Sequence, residues 1–196
     1  HRTIILTTVC AVATAPRTPG SSPQSFDLDF QQLQGQITSG PDFDLLRITA
    51  GSTFGLPSPG HVTLTKLLSG EWNVDSFFDI TYRIDFIGAP SGALAGMSGS
   101  TTGTIRWQQG ILGPDYCIAA DASGTADLPA GCPFTAPFGP MYITSGLPVG
   151  ATIECVPRFE GFVSIVRTPG GPLGGEVEQF NGSLTLDMTG TGSLFG

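Results

Sequence analysis

Charge is scarce in this chain. Only 12% of its 196 residues are charged, Lys66 is the single lysine, and the net charge is −8 at neutral pH. Without a basic patch, nucleic acid is not an expected partner. Histidine is nearly missing, with only His1 and His61. The four cysteines, Cys10, Cys117, Cys132 and Cys155, form no CxxC pair, which leaves zinc ribbons, thioredoxin chemistry and c-type haem without support. No apolar run reaches the length of a membrane-spanning helix, so an integral membrane protein is not expected. Nor does any segment keep helical apolar spacing over three turns between a start and a stop signal.

What remains is strand and turn. Glycine (28) and proline (16) punctuate the chain, and hydrophobic residues make up 40% of it, thirteen Phe among them. That apolar content is enough to offset the entropy of ordering, so low charge here does not mean disorder. "FFDITYRIDFI" places Phe78, Ile80, Tyr82, Ile84 and Phe86 on one face and Asp79, Thr81, Arg83 and Asp85 on the other. This is the period of two of a half-buried strand. The pattern repeats with Phe26, Leu28 and Phe30, with Phe43 and Leu45, and with Val62 and Leu64. About ten strands without helices predict an all-β fold, an antiparallel two-sheet β-sandwich of jelly-roll-like form. The expected layout is an extended N-terminal strand over residues 1–15, a Pro/Gly/Ser hinge over 16–25, and the sandwich over 26–196. A loop-rich excursion over about 110–140 would be stapled by a Cys117–Cys132 disulfide. Cys10 and Cys155 would pair with each other; four free thiols are the alternative. Disulfides would place the protein outside the cytoplasm.

Catalytic constellations are thin. His61 follows Pro59-Gly60 and reads as a solvated turn residue. "GMSGS" has Ser100 where a nucleophile elbow needs glycine. The expectation is a non-enzyme without cofactor; His61 bonded to both a hydroxyl or thiol and a carboxylate in a cleft would contradict it. The acidic pairs Asp27/Asp29, Asp42/Asp44 and Asp75/Asp79 are candidates for calcium, the first four residues above all, or for glycosidase acids. Their simpler reading is the polar face of alternating strands. Trp72 and Trp107 sit in strand-like settings and are expected in the core. Asn181 in "NGS" is a formal glycosylation acceptor inside a strand.

"VDSFFDITYRIDF", "GAPSGALAGMSGSTTGTIRWQ" and "RTPGGPLGGEVEQFNGSLTLDMTGTGSL" resemble a set of secreted, β-rich proteins of environmental bacteria, over residues 41–108 and 141–195. The resemblance implies export and a β fold, and supplies no site residues. It also implies a longer mature chain than one ending at Gly196.

The opening stretch has several readings. Arg2, the apolar run from Ile4 to Val12 and Ala13-Thr14-Ala15 have the layout of a secretion signal. As a strand, residues 3–15 would be apolar on both faces, span roughly 43 Å at about 3.3 Å per residue, and need cover on both sides. A long, doubly apolar strand on a hinge has the form of an arm inserted into a neighbouring subunit, with Ile4, Leu6, Val9 and Val12 buried there. Head-to-tail exchange of that kind builds a filament from copies of the chain. The expected function is therefore an extracellular structural subunit. The strand staying at home as an ordinary central strand is the competing reading for the segment, and a secreted monomeric ligand-binding or adhesin module, with a surface glycan as partner, is the competing function.

Overall fold

The alternation in residues 72–88 folds as read. In a computed structural model, which describes residues 1–18, 20–70, 72–109, 117–119, 134–135 and 140–192, Phe78, Ile80, Tyr82, Ile84 and Phe86 are all buried. The strands are β1 (Arg2–Thr14), β2 (Gln24–Thr38), β3 (Phe43–Ala50), β4 (Pro59–Lys66), β5 (Trp72–Gly88), β6 (Ser98–Gln109), β7 (Cys117–Ala119), β8 (Phe134–Thr135), β9 (Met141–Ile143), β10 (Thr152–Pro169) and β11 (Glu176–Thr191). One 3₁₀ turn, Ser52–Phe54, separates β3 from β4.

Every pairing is antiparallel, and the protein is all-β. The expected division into two sheets is not what the pairings give. One ladder runs from β6 through β5, β3 and β4, β2, β1 and β11 to β10. β1 is the reason: it pairs with β11 on one side and β2 on the other, so no break separates two sheets. β3 and β4 lie in line between β2 and β5. The first half of β2 pairs with β4 and its second half with β3; β5 does the same. These pairings close a four-strand circuit.

The link between β3 and β4 is tied on both sides. Thr53 Oγ1 donates to the Gln31 carbonyl (2.6 Å), the Phe30 amide donates to Ser58 O (2.9 Å), and the Thr81 amide donates to Ser58 Oγ (3.2 Å). Gln31 is free for this because a bulge drops it from the β1–β2 register, Ala11 facing Gln32 and Val12 facing Phe30. A second register shift, between Phe43 and Leu45, corrects the reading of β3. Leu46, not Leu45, follows Phe43 into the core.

The ladder curls until its ends meet. Phe30 of β2 packs edge-on against Phe78 of β5 (5.3 Å between centroids) and Phe180 of β11 (6.4 Å), and lies 6.5 Å from both Trp107 of β6 and Phe159 of β10. Aromatic side chains from five strands thus share one interior, and their pairs add specific geometry to apolar burial. Where β6 approaches β9, side chains close the seam. The Tyr142 amide donates to Tyr82 Oη (3.0 Å), and the Thr144 and Ser145 amides donate to Thr101 Oγ1 (3.0 and 3.2 Å). Tyr82 reaches β9 by crossing Gly103, its partner on β6, where a Cβ would come within 2.5 Å of the phenol oxygen.

The excursion expected over 110–140 falls mostly outside the described residues, as does any Cys117–Cys132 bond. β7 pairs with the start of β5, and β8 with β10.

Candidate functional site

β2 and β4 put a hydroxyl, an imidazole and a carboxylate together on the outer face of the sheet. The register sets Asp27 opposite His61 and Ser25 opposite Thr63. Ser25 and Asp27, two residues apart on one strand, therefore flank His61 from the same face. Ser25 Oγ lies 2.7 Å from His61 Nε2, and His61 Nδ1 lies 2.8 Å from Asp27 Oδ1. Asp27 as a carboxylate can only accept, so Nδ1 carries the hydrogen. In the neutral imidazole Nε2 is then an acceptor, and the Ser25 hydroxyl donates to it. This is the atom order of a serine nucleophile, its general base and an orienting acid. Thr63 Oγ1 lies 3.4 Å from Ser25 Oγ, and the Phe77 ring sits 6.4 Å from the imidazole. The expectation for His61 as a turn residue is corrected: it is inside β4. Both bonds named as contrary to a non-enzyme are present, but on an open face, with the Asp27 side chain 76% exposed.

Ser25 was not singled out from sequence. Its signal is the S-x-D spacing of "QSFDLDF", which gains meaning only when the β2–β4 register supplies the histidine.

The aspartate pairs do not converge. Asp27 is bonded to His61, Asp29 accepts from Ser52 Oγ (2.5 Å), and Asp42 accepts from Arg2 Nε (2.8 Å). Asp42 precedes β3 beyond the pair Leu45–Thr38, nine residues along β2 from Asp29, or roughly 30 Å. Asp27 and Asp29 cannot share an ion with Asp42 and Asp44. No metal-holding group of three His, Cys, Asp or Glu occurs among the described residues. Asp79 is held by both oxygens to Arg106 (2.7 and 2.6 Å), and that hydrogen bonding lowers its pKa.

β1 lies inside its own chain's sheet, all thirteen residues paired with β11. Of the four residues expected to be buried, Leu6 and Val12 are buried, Ile4 is half-buried, and Val9 is 54% exposed. Ile5 on the same face as Val9 is exposed as well. Only one face of residues 5–9 is covered, because the other belongs to the sheet's outer surface.

The Cys10–Cys155 disulfide is excluded by register. Cys10 faces Phe180 and Cys155 faces Met188 on β11, eight residues apart (188 − 180), about 26 Å along a strand. A disulfide needs Cα atoms within about 7 Å. Both are free, buried thiols, and burial pushes each pKa up to about 12.

Sequence reading also missed a charged cluster where β1 meets the hinge. Arg17 bonds Glu176 (2.8 Å) while its guanidinium lies over Phe26, and Arg167 bonds Glu178 (3.0 Å). Glu178 is buried, and its pKa is raised, first by desolvation, against the pull of Arg167. At the opposite end of β1, a cavity of about 170 Å³ is lined by Arg2, Asp42, Phe43, Leu94, Ile153 and Met188, with others.

Compared with known proteins, the chain matches no family model, no curated protein and no solved structure.

Proposed function

We propose that the protein is an extracellular structural subunit that assembles by exchanging β1 between copies. One observation carries this reading. Among the described residues β1 is the only strand joining β2 to β11, yet its covalent tie to the rest is the proline-bearing segment between Thr14 and Gln24. A subunit that gives up β1 exposes two facing strand edges and the apolar side chains beneath them, which a second copy's β1 fits residue for residue. Exchange preserves each contact of Leu6, Cys10 and Val12, so the donor and the self-filled forms differ mainly in the path of the hinge. Head-to-tail exchange then propagates as a fibre.

The test uses three samples under negative stain. The full chain forms fibres of uniform width at high concentration. A chain lacking residues 1–15 forms none, and it binds a synthetic peptide of residues 2–14 one to one. Fibres that persist without residues 1–15, or a full chain that stays monomeric at every concentration, would overturn the reading.

The cavity beside Arg2 favours a second reading, a secreted monomeric binding module. An apolar wall of Phe43, Leu94, Ile153 and Met188 with one guanidinium at its edge suits a small amphipathic ligand.

A further inference from the structure

We propose that Ser25 is a reactive nucleophile, activated by His61 and oriented through Asp27, that accepts the acyl group of a carboxylic ester. The argument begins with atom order. Two bonds of 2.7 and 2.8 Å run from hydroxyl to Nε2 and from Nδ1 to carboxylate, and no other tautomer of the neutral ring serves both neighbours. Ser25 is exposed, so its oxygen is open to a substrate.

The backbone supplies the second requirement, a donor for the oxygen that becomes negative. The Asp27 carbonyl accepts from the Ala15 amide, so the backbone groups of Asp27 point toward β1. Strand alternation points those of Ser25 the same way, while the Phe30 amide, on the other parity, points to Ser58. The β1–β2 ladder ends with Thr14 opposite Leu28, before it reaches Ser25. On that parity the Ser25 amide points to the β1 side beyond the last paired residue, and it is the backbone donor next to its own Oγ that would serve an oxyanion. Thr63 Oγ1 is a second hydroxyl beside the reacting oxygen. The Phe77 ring, with the Arg106 guanidinium 4.4 Å from its centroid, makes an apolar wall for the alcohol portion of the ester.

The step balances without a co-reactant beyond water. Ser25 Oγ bonds to the carbonyl carbon as its proton passes to His61 Nε2. The ester C–O bond breaks, and the alkoxide leaves with that proton as the alcohol. Water then adds to the acyl-serine, again losing a proton to Nε2, and the acid departs as Ser25 recovers its hydrogen. On an open face the substrate is not enclosed, so the site suits an ester carried on an extended or surface-bound molecule.

The experiment treats the full chain with p-nitrophenyl acetate, following nitrophenol release and the intact mass, with peptide mapping of the acetylated residue. Circular dichroism verifies that each variant keeps its strands, which substitutions on this outer face should not disturb. The expected result is acetyl on Ser25, none on Ser25→Ala, and release slowed at least about a hundredfold in His61→Ala, the usual worth of a general base. Asp27→Asn slows release and Asp27→Glu restores part of it, as an orienting carboxylate requires. Three results would each overturn the proposal: no acetylation of the folded chain, equal release by Ser25→Ala, or undiminished acetylation of Ser25 in His61→Ala.

Discussion

β5 and β1 are both long, both central, and both buried along one face, yet only β5 could be read correctly from its letters. Its outward residues include Asp79, Arg83 and Asp85, and charge marks the solvent side without ambiguity. On β1 the outward residues are Thr3, Ile5, Thr7, Val9, Ala11 and Ala13, none charged. The apolar character of both faces suggested cover on both sides. The structure covers Ala11 and Ala13 but leaves Ile5 and Val9 open. Single apolar residues on a surface are ordinary, since polar atoms are too few to coat a protein. The period of a strand thus survives loss of charge contrast, whereas the identity of its buried face does not.

The sharpest way to break this comparison is to cut the two strands equally. Leu6 and Ile84 are both fully buried, so Leu6→Ala and Ile84→Ala should each cost about 2–5 kcal/mol. Urea midpoints measure both. A loss at Ile84 alone, with Leu6→Ala close to the parent, would show that β1 does not pack as a core strand.

A smaller effect is expected at the seam that lets one sheet enclose a core. Tyr82→Phe removes the acceptor of the part-buried Tyr142 amide and should cost about 0.5–1.5 kcal/mol, the net worth of an ordinary hydrogen bond. Hydrogen exchange at the Tyr142 amide should quicken in the variant. Unchanged protection there would mean that the β6–β9 seam is held by Thr101 alone.

Next comes the charged end of β1, where pH is the probe. Desolvation raises the folded pKa of Glu178 above the ordinary 4.5, so the unfolded chain releases this proton first. Between the two values the folded state holds more protons. The contribution of Glu178 is fully present below the unfolded value and is lost as pH rises through the folded one. Asp79, lowered by Arg106, has the opposite sign, and its contribution is lost as pH falls. Glu178→Gln should flatten the decline in urea midpoint as pH rises above 4.5; an unaltered slope would remove Glu178 as its source.

Legibility followed the same physical line throughout. Phe26, Phe30, Val62 and Leu64 were placed inward by alternation alone and are buried. Leu45 was misplaced because a bulge is a property of two strands, not of one sequence window. The single continuous ladder was hidden because it depends on β1 pairing with β11 across nearly the whole chain. The same holds for Ser25, His61 and Asp27, whose association is a consequence of register. Cys10 and Cys155 were paired by elimination, which register then forbids.

The smallest expected effect is the most direct check on β1's outer face. Val9 lies between Gln34 of β2 and Asn181 of β11, with Val163 one strand further on, all on the surface side. Val9→Thr keeps β-branching and nearly the same volume, so the strand's preference is retained. With the side chain 54% exposed, stability should change by no more than about 0.5 kcal/mol. A loss well above that would mean that something covers this face. If a second copy is the cover, the excess should disappear on dilution, because a contact between copies weakens with concentration and one within the chain does not. Val9→Thr measured at two protein concentrations therefore separates a bare outer face from one shared between subunits.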